Sequence, residues 1–117
     1  MATYNGGKYI REQVDSILNQ NFEENKDVEI ELIVSDDGST DNTLEILSSY
    51  EDERIKVFRH ANRRHYKYLN ATRKCKCNFE NAIRNAGGDY IFLTDQDDVW
   101  YPWKIDRQLS MLRRRGG

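Results

Sequence analysis

The sequence holds 117 residues, with 38% hydrophobic and 32% charged side chains and a formal net charge of -2. That length gives one domain with one modest core, and its apolar runs are strand-sized, too short to span a bilayer. The near-balanced charge gives no global drive toward nucleic acid or an anionic membrane.

The elements alternate. Tyr9, Ile10, Val14, Ile17 and Leu18 recur at helical spacing and predict an amphipathic helix over roughly residues 7–20. Ile30, Leu32, Ile33 and Val34 predict a β-branched strand that ends at Ser35-Asp36-Asp37-Gly38. Ser39 and Thr40 are natural N-caps for a helix carrying Leu44, Ile46, Leu47 and Tyr50. Ile55-Lys56-Val57-Phe58 reads as a short strand. Asn78 through Ala86 reads as a helix closed by Gly87-Gly88, and the apolar run Asp89 to Thr94 as another strand. Pro102 then opens a last helix toward Leu112.

This βα alternation predicts a parallel sheet with helices on both faces. A parallel unit needs a strand before the first turn, and only Met1-Ala2-Thr3 stand there. The Arg113-Arg114-Arg115-Gly116-Gly117 tail also stops without a final strand. The expectation is a single domain over 1–117 that is a piece of a longer protein. No secretory leader pattern opens the sequence, so a cytoplasmic location is expected. Cys75 and Cys77 form a lone C-x-C, a weak zinc pattern and a poor disulfide spacing, which favours free thiols.

Chemistry concentrates at strand ends. The last strand runs into Asp95-Gln96-Asp97-Asp98, three carboxylates within four residues. Their mutual repulsion would be relieved by a divalent cation, and hard carboxylate oxygens suit Mg²⁺ or Mn²⁺. Ligands of open α/β sheets bind outside the carboxyl ends of strands. Three segments should meet there: Thr3-Tyr4-Asn5-Gly6, Ser35-Asp36-Asp37-Gly38-Ser39 and Asp95-Gln96-Asp97-Asp98. A nucleoside diphosphate with a metal would reconcile two acidic turns at one edge. The basic stretch from Arg59 to Lys76, with Tyr66 and Tyr68, permits three readings: a single-strand nucleic-acid surface, a solvated loop, or cations that meet a diphosphate.

Thr3-Tyr4-Asn5-Gly6-Gly7-Lys8-Tyr9-Ile10, Ser16-Ile17-Leu18-Asn19-Gln20, Ser35 to Asp41 and Gly88 to Trp100 together resemble glycosyltransferase family 2, in order and spacing, over nearly the whole chain. The resemblance implies a GT-A fold, a Rossmann-like three-layer α/β/α domain with a mostly parallel sheet, here truncated. It implies an inverting, metal-dependent sugar transfer from a UDP- or dTDP-sugar to a saccharide or lipid-linked saccharide, in bacterial surface polysaccharide synthesis. Nucleic acid would not be a partner. The full-length protein would work in the cytoplasm, at the inner face of the membrane.

By the same resemblance Thr3, Tyr4 and Asn5 match the first nucleotide-contacting turn, and Asp37, with Asp36 beside it, matches the acid that reads the base. Asp95 and Asp97 match the outer positions of an Asp-x-Asp motif. Asp97 is the implied direct metal ligand and catalytic residue, and Asp95 faces the ribose or donor sugar and shares the Mn²⁺ or Mg²⁺. The general base of the family lies beyond this motif, so the chain alone is expected to bind donor without transferring sugar. Asp98 and Asp106 would be the first candidates if a base lay within it.

Other readings share the α/β logic. A receiver domain needs a lone phospho-acceptor Asp ending a middle strand and a Lys ending a later one, and neither is present. A nucleotidyltransferase carries a Gly-rich basic loop, of which Asn5-Gly6-Gly7-Lys8 is a poor version. A non-catalytic metal- and nucleotide-binding module is the remaining alternative.

Overall fold

The computed structural model describes residues 1–60 and 71–115. In chain order the elements are β1 (Ala2–Thr3), α1 (Ile10–Leu18), β2 (Leu32–Asp36), α2 (Thr43–Ser48), β3 (Ile55–Arg59), α3 (Ala71–Asn85) and α4 (Lys104–Arg114). The sheet has the order β1-β2-β3 and both pairings are parallel. Ala2 and Thr3 pair with Ser35 and Asp36, while Leu32 through Asp36 pair with Ile55 through Arg59.

Period-two alternation along β2 divides the molecule into layers. Leu32 and Val34 enter the main core with Met1, Ile10, Val14, Ile17, Leu47, Trp100 and Ile105. Each such side chain contributes about 1.5–3 kcal/mol when fully buried. The alternate residue Ser35 meets α3 on the opposite face. Its hydroxyl donates to Asn78 Oδ1 at 2.7 Å and accepts from Asn81 Nδ2 at 2.9 Å. α1 holds the core because Ile10, Val14 and Ile17 fall on one stripe, all buried.

Four expectations are corrected. The run Asp89 to Thr94 is not a strand: it forms no ladder, and the residue after it, Asp95, makes an isolated parallel bridge to Ala2. A strand is completed by its neighbour, and β1 offers only two residues. The alternation of side chains survives without the ladder. Phe92 packs on the core and meets Trp100 edge-on at 6.4 Å, while Ile91 and Leu93 are exposed. A cavity of about 420 Å³ lined by Met1, Ile33, Ala82, Ile91, Phe92 and Leu93 lies in this gap.

Second, α3 begins at Ala71 rather than Asn78. Third, Gly87 is not a left-handed cap, since Gly38 is the positive-φ glycine among the described residues; the Gly87 N–H instead donates to Glu31 Oε2 at 3.0 Å. Fourth, α2 starts at Thr43, past the expected caps Ser39 and Thr40, and the Asp41 carboxylate accepts from the Thr43 N–H at 3.0 Å. Cys75 and Cys77 are free thiols. Of the basic stretch, residues 61–70 lie outside the described residues, so Arg63, Arg64, His65, Tyr66, Lys67 and Tyr68 are not placed.

Candidate functional site

The three segments expected at the carboxyl edge do meet there, and Thr3-Tyr4-Asn5-Gly6 is the middle one. On one side it is tied to the β2 turn. The Thr3 hydroxyl donates to Asp36 Oδ1 at 2.7 Å, the Asn5 N–H to Ser39 Oγ at 2.9 Å, and the Gly6 N–H to Thr43 Oγ1 at 2.9 Å. Asn5 Oδ1 in turn accepts from the Thr40 N–H at 2.8 Å. Asn5 has φ 46°, a left-handed conformation that asparagine tolerates better than most residues.

On the other side the turn is tied to the acidic segment. The Tyr4 N–H donates to Gln96 Oε1 at 2.9 Å, and Gln96 Nε2 returns a bond to the Tyr4 carbonyl at 3.0 Å. This reciprocal pair explains the middle residue of Asp-Gln-Asp, and also Gly6. A Cβ at Gly6 would lie 2.2 Å from Gln96 Oε1, so any other residue would push the amide off Tyr4.

Asp36 and Asp37 have opposite surroundings. Asp36 is fully buried, and its oxygens accept four bonds: from Thr3 Oγ1, Ser39 Oγ at 2.6 Å, the Ser39 N–H at 2.9 Å and the Gly38 N–H at 3.1 Å. Its role is to shape the turn, and Gly38, at φ +83°, closes it. The Asp37 side chain is 9% exposed and stands 3.4 Å, Oδ1 to Nδ1, from His60. Asp41 is held below the ordinary carboxylate range by the Thr43 hydroxyl and the Gly7 and Thr43 N–H groups, against the opposing effect of burial.

Asp95, Asp97 and Asp98 are exposed, as is Tyr4. The Met1 ammonium donates to the Ile33 carbonyl at 2.8 Å. Burial lowers its pKa to about 6, although the Asp95 charge works in the other direction. Among the described residues no three His, Cys, Asp or Glu side chains form a ready-made metal cage. The donor chemistry still fits a hard cation. Mg²⁺-type ions are commonly held by one or two carboxylates, with substrate phosphates and water completing the shell.

Several positions quoted for the resemblance gain a physical reason. Ser16 and Gln20 on and after α1 hold the chain that follows the acidic turn: Ser16 Oγ accepts from the Trp100 N–H at 3.1 Å, and Gln20 Oε1 accepts from the Ile105 N–H at 3.0 Å at the start of α4. Gln13, fully buried, donates to Thr94 Oγ1, next to Asp95. Asn78 Nδ2 donates to the Thr3 carbonyl at 3.2 Å, so α3 also steadies the first turn. No periodicity marks these residues, because their signal is a tertiary contact.

Asp106 is not free to act on a substrate. Its carboxylate accepts from the N–H groups of Glu23, Glu24 and Asn25 and from Asn25 Nδ2. Burial works to raise its pKa, and the bonds from Asn25, Glu24 and Glu23 outweigh burial and hold it below the ordinary value. It anchors the loop before β2 onto α4. Asp98 is exposed.

Comparison with known proteins agrees with this arrangement. The sequence pattern of glycosyl transferase family 2 matches residues 1–116. The chain is 39% identical over 118 residues to the dTDP-rhamnosyl transferase RfbG of Shigella flexneri, covering 96% of this chain and 36% of that protein. It is 34% identical to TuaG of Bacillus subtilis (strain 168), a glycosyltransferase named for teichuronic acid biosynthesis, covering 97% of this chain and 40% of that one. The chain thus spans well under half the length of these relatives. The structure of S. aureus TarS 1-349 in complex with UDP superposes with a TM-score of 0.73 at 27% identity, over 97% of this chain and 30% of that one. The fold is that of the GT-A glycosyltransferases, and the chain belongs to glycosyltransferase family 2.

Proposed function

We propose that this chain is the donor-binding portion of an inverting glycosyltransferase that uses a UDP- or dTDP-sugar. In the whole protein the sugar would pass to a saccharide or lipid-linked saccharide during bacterial surface polysaccharide synthesis. The observation that carries this reading is the junction of three turns at one sheet edge, with Tyr4 and Gln96 locking the acidic motif to the first turn. The names of RfbG and TuaG support the pathway, and the UDP complex of TarS supports the donor class.

In this reading Asp37 accepts the base N–H, the exposed Tyr4 and the backbone of Asn5 border the nucleoside, and Asp95 faces the ribose or donor sugar. Thr3 and Asp36 serve from beneath, by fixing the turn on which Asp37 stands. Asp97, with Asp95, would hold Mn²⁺ or Mg²⁺, whose Lewis acidity offsets charge on a departing diphosphate. The general base for the acceptor hydroxyl belongs, by resemblance, to the remainder of the protein. No helix among the described residues is long and apolar enough to cross a membrane, and we place the work at the cytoplasmic face.

Thermal unfolding with nucleotides tests the donor class. In Mn²⁺, UDP or dTDP should raise the midpoint, and a ligand at about 100 times its Kd adds about 2.7 kcal/mol. CDP should add little, because cytosine presents a bare N3 acceptor where uracil and thymine present N3–H. A shift from CDP equal to that from UDP and dTDP would contradict a site that reads this N–H with a carboxylate.

A further inference from the structure

We infer that His60 is a positioning residue for Asp37 and through it sets the base selectivity of the site, an inference that rests on the donor-binding reading above. His60 stands one residue beyond β3. Its backbone N–H donates to the Asp36 carbonyl at 2.8 Å, which carries the β2–β3 pairing one step past Asp36 and Arg59. The imidazole is thereby set beside the next carboxylate, with Nδ1 3.4 Å from Asp37 Oδ1.

The two side chains are only 13% and 9% exposed, so this is not a solvated surface pair. A carboxylate with so little water around it needs a donor to remain an acceptor in a fixed direction. The ring addresses one oxygen, Oδ1, and the second can then be offered to a ligand. The backbone carrying Asp37 is already fixed, since its N–H donates to the Thr3 carbonyl at 3.0 Å. What remains to be set is the side-chain rotation, and His60 sets it.

The chemistry of the bases gives this a consequence. Uracil and thymine carry an N3–H that a fixed carboxylate oxygen accepts. Cytosine carries a bare N3 acceptor in the same place and is repelled. Without His60, Asp37 can turn away, and both the affinity for uridine and the discrimination against cytidine should fall. The diphosphate end should be untouched.

Calorimetric titration of UDP, CDP and uridine into the unmodified chain, His60→Ala and His60→Asn tests this, with thermal unfolding followed in the same buffer. The asparagine amide places an N–H near the position of Nδ1. His60→Ala should bind UDP and uridine about tenfold more weakly, the range of one hydrogen bond to a charged group. Its preference for UDP over CDP should shrink, and the gain from Mn²⁺ should be unchanged. His60→Asn should recover most of the uridine affinity and the preference. Equal affinities and preference in the unmodified chain and His60→Ala would overturn the inference and leave the donor-binding reading standing. His60→Asn as weak and unselective as His60→Ala would overturn it too. An unmodified chain that binds no uridine nucleotide would overturn both. If His60→Ala does not fold, His60→Phe, which fills the space without an N–H, takes its place: a lost preference supports the role and a kept one refutes it.

Discussion

Replacing Asp36 with alanine should destabilise the domain by about 3–5 kcal/mol, a large share of what a small domain has. The carboxylate is fully buried and accepts four hydrogen bonds from three residues. Its removal strands the Thr3 and Ser39 hydroxyls and two backbone N–H groups, and it loosens the contact between β1 and β2. Asp36→Asn should do less harm, since its amide oxygen can still accept from the Gly38 and Ser39 N–H groups while its NH₂ meets the Thr3 and Ser39 hydroxyls, which can rotate to accept. The unfolding midpoint should fall by about 10–20 °C for a domain of this size. Asp37→Asn, one residue along, should change it far less, because the turn does not hang on that side chain. A fall of under about 3 °C for Asp36→Ala would show that the turn holds without its buried carboxylate.

The second large effect separates the two acidic turns by ligand. Asp37→Asn should weaken uridine and UDP alike, by at least about tenfold or 1.4 kcal/mol, because an amide can offer the base its NH₂ in place of an oxygen. Asp97→Asn should leave uridine binding unchanged and remove the gain that Mn²⁺ gives UDP, because its proposed partners are the cation and the diphosphate. Titration of both ligands into both variants, with and without Mn²⁺, reads the four outcomes. If the variants lose the same ligands in the same proportion, the division of roles is wrong.

Much of this was legible in the sequence, for reasons that differ by element. α1, β2 and β3 carry apolar residues at the right period, and the structure keeps them within a few residues of expectation. The sequence pattern shortens α3, because the first half of the helix, including Arg73-Lys74-Cys75-Lys76-Cys77, has no apolar stripe to announce it. The run before Asp95 has the composition of a strand, and composition does not show that its neighbour β1 pairs with it at a single bridge. At the site, the three turns could be read from strand ends and motif spacing. The different partners of Asp36 and Asp37 could not, because only the fold shows that the Thr3 and Ser39 hydroxyls and the Gly38 and Ser39 N–H groups meet Asp36 while His60 meets Asp37. Gln96, Ser16 and Gln20 are likewise unremarkable by composition, and their work is visible only as contacts across some eighty to ninety residues.

The most direct measurement is calorimetric titration of UDP into the unmodified chain, once in Mn²⁺ and once in a chelator. In the proposed site the exposed carboxylates would repel a diphosphate, and a hard cation held by Asp97 and Asp95 would reverse the sign of that interaction. Affinity should therefore drop at least about tenfold in chelator, while uridine, which carries no phosphate, should bind equally in both. UDP affinity that is the same with and without the metal would contradict the account at its centre.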